Sequence, residues 1–351
     1  MGYNKLGLIL KVAHPKSITQ FRPISLWNTL YKLLSRIIVQ RLKPYIAEVI
    51  NPYQAGFMPG RRTSDNIILV QEVIRTLKSR RDRNGYVAIK SDLEKAYDRL
   101  EWSFIQETLE FFQLPPTFIT FIMNMISFTW FHILWNETPL PEVVPSMGVR
   151  QGDPLSAYLF ILCLEQLSIK LEEAKAKDCK NLRRILQHFC ESSGQLMSVT
   201  KSRLWFSPST PRRTKEQVVG IFGIPTTDHI GMYLGTPIFT TRRTTQSYQY
   251  LVDKIWTRIE GWQAKYLSVA GWVTLIKASM TSIPIYAMQI MFLPHKISHQ
   301  IDKMSCNFLW GDTTQHRGCH TVNWETVTLP KEAGGVGIPS TQHQNHTILM
   351  T

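Results

Sequence analysis

GYVAIKSDLEKAYDRLEW, residues 85–102, reads as a turn, a strand and a helix in succession. Tyr86–Ser91 alternates apolar and polar residues, the period of a strand with one covered face. Asp92 stands at its C-terminal end. Leu93, Ala96, Tyr97, Leu100, Phe104, Leu109 and Phe112 then recur at helical spacing, which predicts a helix starting directly after the acid. A carboxylate so placed suits a divalent-metal ligand, because the strand fixes it and the next backbone carbonyl can share the ion. Taken alone, it better suits a helix N-cap.

Toward the N-terminus, Leu6–Val12 is a candidate strand. Leu26, Leu30, Leu33, Leu34, Ile37, Ile38 and Leu42 predict one apolar helix face, with Lys32, Arg36, Arg41 and Lys43 elsewhere and Pro44 and Pro52 punctuating the exit. QAGFMPGRRTSDNI (54–67) is a Gly/Pro loop with paired arginines, followed by Ser64 or Asp65 as cap and a helix over 66–78. Toward the C-terminus, MGVRQGDPLS turns into a helix with Asp153 as N-cap and Pro154 first, expected to reach about Lys177. NLRRILQHFCESSG is a second periodic helix, and SRLWFS a strand. From Thr240 the chain reads as helical and Trp-rich, with Trp256, Trp262, Trp272, Trp310 and Trp324. Weak boundaries fall near Pro208–Arg213 and in TTRRTTQS, and no internal repeat is present.

At 351 residues and 44% hydrophobic, the chain can bury a sizeable core and is expected to form two or three subdomains. Its net charge is +14, and up to Arg83 fifteen Lys and Arg stand against four acids. Such a one-signed field suits a phosphate polymer, with a membrane surface as the weaker alternative. Five cysteines without paired spacing predict free thiols in a reducing compartment. His316, Cys319 and His320, with Cys306 upstream, match no usual zinc spacing. The N-terminus carries no export signal, and Leu6 stands where a myristoylation signal wants Ser or Thr. Phe118–Trp135 imitates a membrane span, but its polar interruptions and preceding Pro115-Pro116 favour a buried helix followed by a strand.

Gly148 and Gly152 permit close backbone approach to a ligand, or simply make the turn. Arg61 and Arg62 could grip phosphates or lie solvated. Taken in order, RPISL (22–26), QAGFMPGRRTSDNI, SDLEKAYDRLEW (91–102), GVRQGDPLS (148–156) and YLGTP (233–237) resemble the reverse transcriptases of LINE-type (non-LTR) retrotransposons, particularly plant ones. The resemblance spans nearly the whole chain, including TRIEGWQAKYLSVAGWVTLIKASMTSIPIYAMQ (257–289) and the NFLWGD…VNWETVTLPKEAGGVGI region. It implies an α+β right-hand polymerase with fingers over 1–85, palm over 86–207, a primer-grip-like end over 208–240 and a helical thumb and downstream region over 241–351.

The resemblance also implies roles. Asp92 would bind Mg²⁺ with help from the Leu93 carbonyl, and Lys201 would sit near the leaving pyrophosphate. Lys11 and Arg22 would hold the triphosphate of a dNTP, Tyr97 would lie under its sugar, and Gln151 and Gly152 would border the nascent base pair. Arg61 and Arg62 would approach the RNA template, and Tyr233, Leu234 and Gly235 the end of the DNA primer. A nuclear location follows from the family alone.

The pattern breaks at one place. Two-metal phosphoryl transfer needs more than one carboxylate, and the family supplies an Asp-Asp pair on a hairpin between the RQGDPLS helix and the SGQ turn. Here no Asp-Asp dipeptide occurs, and LEEA (171–174) runs straight into KAKDCKNLRR. Asp178 reads as surface, Asp98 as a helix-face residue and Asp153 as a cap. The expected result is a reverse-transcriptase domain without catalysis, with a palm remodelled or poorly folded where two strands are missing. A non-catalytic RNA- or DNA-binding protein is one alternative, and an active polymerase whose coding sequence has lost a segment is another. On the resemblance, the endonuclease domain expected upstream and the Cys/His-rich segment expected downstream in many such elements would lie outside these 351 residues.

Overall fold

A computed structural model describes residues 5–350 apart from 13, 84, 129, 136–137, 175–177, 240–243, 261–266 and 313–317. Two compact units result, Met1–Arg61 with Leu77–Asp228, and Arg62–Thr76 with His229–Thr351. Trp262, His316 and the 174–175 junction's second residue lie outside the described residues.

The first unit opens with β1 (Lys5–Leu10) and β2 (Phe21–Leu26), which pair antiparallel, and then α1 (Thr29–Val49). β3 (Val87–Lys90), α3 (Trp102–Phe111), α4 (Pro116–Ser127), β4 (Phe131–Trp135) and β5 (Thr138–Val143) follow. β4 joins β1 in parallel and β5 antiparallel, giving a sheet in the order β2-β1-β4-β5. The apolar run over 118–135 is thus a helix followed by a strand, with Ile119, Ile122 and Ile126 buried. α5 (Pro154–Glu173), α6 (Cys179–Ser193), β6 (Arg203–Phe206) and α7 (Arg212–Phe222) complete the unit. Asp153 caps α5 by accepting from the Leu155 N–H at 3.2 Å, and Gly194 ends α6 in the left-handed conformation.

α5 is long and apolar enough to cross a membrane, but it forms the axis of this unit's core. Leu155, Leu159 and Leu162 are fully buried with Leu42 and Ile46 of α1, Leu109 of α3, Ile122 of α4 and Phe189 of α6. β3 pairs with β6, its one strand partner among the described residues.

Four expectations are corrected. The helix predicted to start after Asp92 begins at Trp102, and residues 94–98 form a turn, so Asp98 lies in a turn. Tertiary pairing overrides the helical period there: Leu93 bridges Met197, and the Glu94 N–H donates to the Leu196 carbonyl at 2.8 Å. Leu26 belongs to β2, and α1 buries Ile38, Val39, Leu42 and Ile46 while Leu30 and Leu33 stay 66% and 54% exposed. Two apolar stripes overlap on α1, and periodicity does not say which meets the core. Pro44 lies inside α1 rather than ending it, and α2 (Thr63–Ser79) starts before Ser64 and Asp65, leaving neither as its cap.

The second unit takes in residues 63–76 of α2, the hairpin β7 (Met232–Tyr233) and β8 (Thr236–Pro237), then α8 (Gln249–Glu260), α9 (Val269–Leu275), α10 (Ile285–Met288), α11 (His295–Trp310), α12 (Trp324–Val327) and α13 (Thr341–Met350). A π-helical turn over Ile276–Met280 buries Ile276 and Met280 fully. The described part of this region is helical, as its composition predicts.

All five cysteines are free thiols. Cys163 is 1% exposed, and burial pushes its thiol up to about 12, whereas Cys319 is exposed. With a disulfide reagent at mildly alkaline pH, Cys319 is expected to react at once and Cys163 only on unfolding, since the thiolate is the nucleophile. Equal rates for the two would contradict this core.

Candidate functional site

Six residues singled out in the sequence converge within the first unit. Lys11 after β1, Arg22 on β2, Tyr97 in the turn after β3, Gln151 and Gly152 before α5, and Lys201 before β6 line one cleft of about 990 Å³. Each reaches it for a local reason. The Ser25 N–H donates to the Gln151 carbonyl at 3.1 Å, which moors β2 to the 148–152 turn. The Val149 N–H donates to the Tyr97 carbonyl at 2.7 Å, and the Tyr97 ring stacks on Phe160 at 5.0 Å. Burial raises the Tyr97 hydroxyl above its ordinary pKa, so it stays protonated.

Asp92 adjoins the cleft through Lys201, whose Nζ lies 4.0 Å from Asp92 Oδ1. Its backbone is fixed on both sides: its N–H donates to Ser202 Oγ at 3.0 Å, and its carbonyl accepts from the Ser198 N–H at 2.7 Å. No helix follows, so the N-cap reading of Asp92 is set aside. Asp178 is instead the cap of α6, accepting from the Lys180 N–H at 3.2 Å.

This donor set does not fit a pair of divalent cations. One carboxylate is present with an ammonium beside it, and among the described residues no three His, Cys, Asp or Glu side chains converge.

The remaining expected residues are elsewhere. Arg61 donates to the carbonyls of Asn51 at 2.6 Å, Gln54 at 2.9 Å and Ile50 at 3.2 Å, closing the loop after α1. Arg62 is exposed in the second unit. Tyr233, Leu234 and Gly235 form the β7–β8 hairpin of that unit, with positive φ at both Leu234 (47°) and Gly235 (81°). That pair of angles defines the tight two-residue turn, and a leucine there carries strain.

Sequence reasoning missed the support beneath the cleft. Arg150 is 8% exposed and donates to Tyr31 Oη at 2.7 Å and to the carbonyls of Met125 at 3.0 Å and Ile126 at 2.7 Å, the last turn of α4. Its guanidinium lies 4.3 Å from the Trp27 ring centre. Tyr31 donates to one Asp153 oxygen at 3.0 Å and Ser35 to the other. Burial, then the Asp153 carboxylate, raise the Tyr31 pKa, and burial lowers that of Arg150. Arg36, Gln40 and Lys43 of α1 also line the cleft. Their i, i+4, i+7 spacing was readable as one face.

Residues 14–190 match the family "Reverse transcriptase (RNA-dependent DNA polymerase)". A protein of transposon TX1 from Xenopus laevis is 25% identical over 374 residues, covering 97% of this chain and 28% of that protein. The Pol polyprotein of the type-2 retrotransposable element R2DM of Drosophila melanogaster is 34% identical over 169 residues, covering 47% of this chain and 16% of that protein. The chain therefore spans less than a third of the length of either. The solved telomerase of Candida tropicalis with a fragment of telomeric RNA covers 99% of this chain and 60% of its own, at 13% identity and a TM-score of 0.46.

Proposed function

The chain belongs to the reverse transcriptase family, in its non-LTR retrotransposon branch, and we propose that it binds nucleotide and nucleic acid without extending a primer. The observation that carries this reading is the cleft in which Lys11, Arg22, Tyr97, Gln151, Gly152 and Lys201 meet beside a single carboxylate, Asp92. Reverse transcriptases use divalent metal ions. In this reading Asp92 and the Leu93 carbonyl are what remains of a Mg²⁺ site, and one carboxylate does not clamp the attacking and leaving oxygens together.

Lys11, Arg22 and Lys201 would face the triphosphate of a dNTP, Tyr97 its sugar, and Gln151 and Gly152 its base. RNA template and DNA primer would lie against a basic surface, since the first 83 residues carry fifteen Lys and Arg against four acids. Arg62 would approach the template and the Tyr233–Gly235 hairpin the primer end, while Arg61 closes the loop after α1. On this reading the fingers take in residues 1–85, the incomplete palm 86–207, the primer-grip-like end 208–240 and the thumb 241–351. A nucleus-resident element protein is the matching location.

The test is a primer–template assay with purified protein. Binding is expected to fall by about 10³-fold between roughly 50 and 200 mM salt if about six phosphates are contacted. Extension with Mg²⁺ or Mn²⁺ should stay at background. Extension abolished by Asp92→Ala would overturn the reading. A second reading, an active polymerase whose coding sequence has lost a segment, is favoured by β3 having β6 as its one strand partner among the described residues. Sequencing the transcript across the codons for Leu171 to Lys180 decides between them.

A further inference from the structure

We propose that a nucleoside triphosphate in this cleft is held by the protein's own cations, without a divalent metal ion. The inference rests on reading the cleft as a nucleotide site and concerns how the phosphates are neutralised. Lys11, Arg22, Arg36, Lys43, Lys95 and Lys201 line the cleft, against the carboxylates of Asp98 and Asp153. Asp153 is already engaged, one oxygen by the Tyr31 hydroxyl at 3.0 Å and the other by the Ser35 hydroxyl and the Leu155 N–H at 3.2 Å. Positive charge therefore dominates the surface a polyphosphate would meet, and charge-assisted hydrogen bonds from Lys and Arg neutralise phosphate oxygens directly.

The position next to Asp92 argues against a bridging ion. A metal that links protein to phosphate needs anionic oxygens on the protein side. Here the Lys201 ammonium lies 4.0 Å from Asp92 Oδ1. A divalent cation arriving there would find one carboxylate and a repelling ammonium. The ammonium itself supplies the positive charge at the place where the ion would sit.

This arrangement reverses the sign of the effect of Asp92. In a metal-bridged site Asp92 attracts the nucleotide through the ion, and losing the carboxylate weakens binding. In a metal-free site it is a negative charge near phosphates and a competitor for Lys201. Asp92→Asn should then tighten binding, and Lys201→Ala should weaken it. The Asp92 side chain is 43% exposed and the Lys201 side chain 70%, so neither change threatens the core.

The experiment is a titration of the full chain with a fluorescent dATP analogue, in EDTA and in excess magnesium. Affinity in EDTA should be no weaker than in magnesium. Asp92→Asn should tighten it by about 2–5-fold and Lys201→Ala weaken it by about 2–5-fold, the range of exposed charge pairs. Binding that requires magnesium, or that is lost in Asp92→Asn, overturns metal-free binding while leaving the nucleotide site in place. Absence of binding in both buffers overturns the nucleotide site as well.

Discussion

Arg150→Ala is expected to lower the stability of the first unit by about 3–5 kcal/mol, the range for removing one partner from a buried charged network. Arg150 ties three elements together. It donates to the α4 carbonyls of Met125 at 3.0 Å and Ile126 at 2.7 Å, to Tyr31 of α1 at 2.7 Å, and its own backbone belongs to the turn before α5. Its N–H also donates to Ser156 Oγ at 3.0 Å. Alanine would leave those two helix-end carbonyls without their cation and open a void against Trp27 and Phe131, both under a tenth exposed. Arg150→Lys should recover less than half of the loss, because one ammonium cannot reproduce a planar fork that spans carbonyls and a stacked ring. Tyr31→Phe should cost about 1–3 kcal/mol, one unsatisfied partner's worth. Urea unfolding followed by tryptophan fluorescence reads all three, and an Arg150→Ala loss under about 1 kcal/mol would mean the network is not structural. Nucleotide affinity should fall with stability, since Gln151 and Gly152 directly follow Arg150 in the chain.

How much of this was legible in the sequence depends on whether the signal was local. Asp153 and Pro154 announce the start of α5, and Asp92 at the end of a strand was readable from alternation alone. The convergence of Lys11, Arg22, Gln151 and Lys201 was not readable from spacing, because 190 residues separate the first from the last. It came from resemblance. The errors share one cause. Residues 93–99 carry a good helical period, but Leu93 and Glu94 pair with Met197 and Leu196, the Tyr97 carbonyl accepts from Val149, and Leu30 and Leu33 carry a good apolar stripe that the fold leaves outside. Arg150 was passed over because a lone arginine in a turn looks solvated. Its burial depends on Trp27, Tyr31 and Phe131, which arrive from the β2–α1 connection, α1 and β4.

Gly148→Ala tests whether the turn that presents Gln151 is as tightly specified as its contacts imply. Gly148 has φ +86°, and a Cβ there would stand 2.7 Å from the Asp98 carbonyl oxygen and 3.0 Å from its carbon. Both are backbone atoms, so no side chain can swing aside. The turn also has no slack: the Gly148 N–H donates to Leu100 at 2.8 Å, its carbonyl accepts from Trp102 Nε1 at 2.8 Å, and the Val149 N–H donates to Tyr97 at 2.7 Å. Relieving the clash means breaking at least one of these. The left-handed backbone costs about 1–2 kcal/mol and overpacking about 1–3 more, so the expected loss is about 3 kcal/mol. Gly60 separates the two terms, because it has φ +74° with nothing within 4 Å of an added Cβ. Gly60→Ala should cost only the backbone term, about 1 kcal/mol. If the two substitutions cost the same, crowding against Asp98 contributes nothing, and the turn from 148 to 152 is freer than these hydrogen bonds require. If Gly148→Ala is the costlier and also weakens nucleotide binding while Gly60→Ala does not, the link from Tyr97 through Val149 to Gln151 is what shapes the cleft.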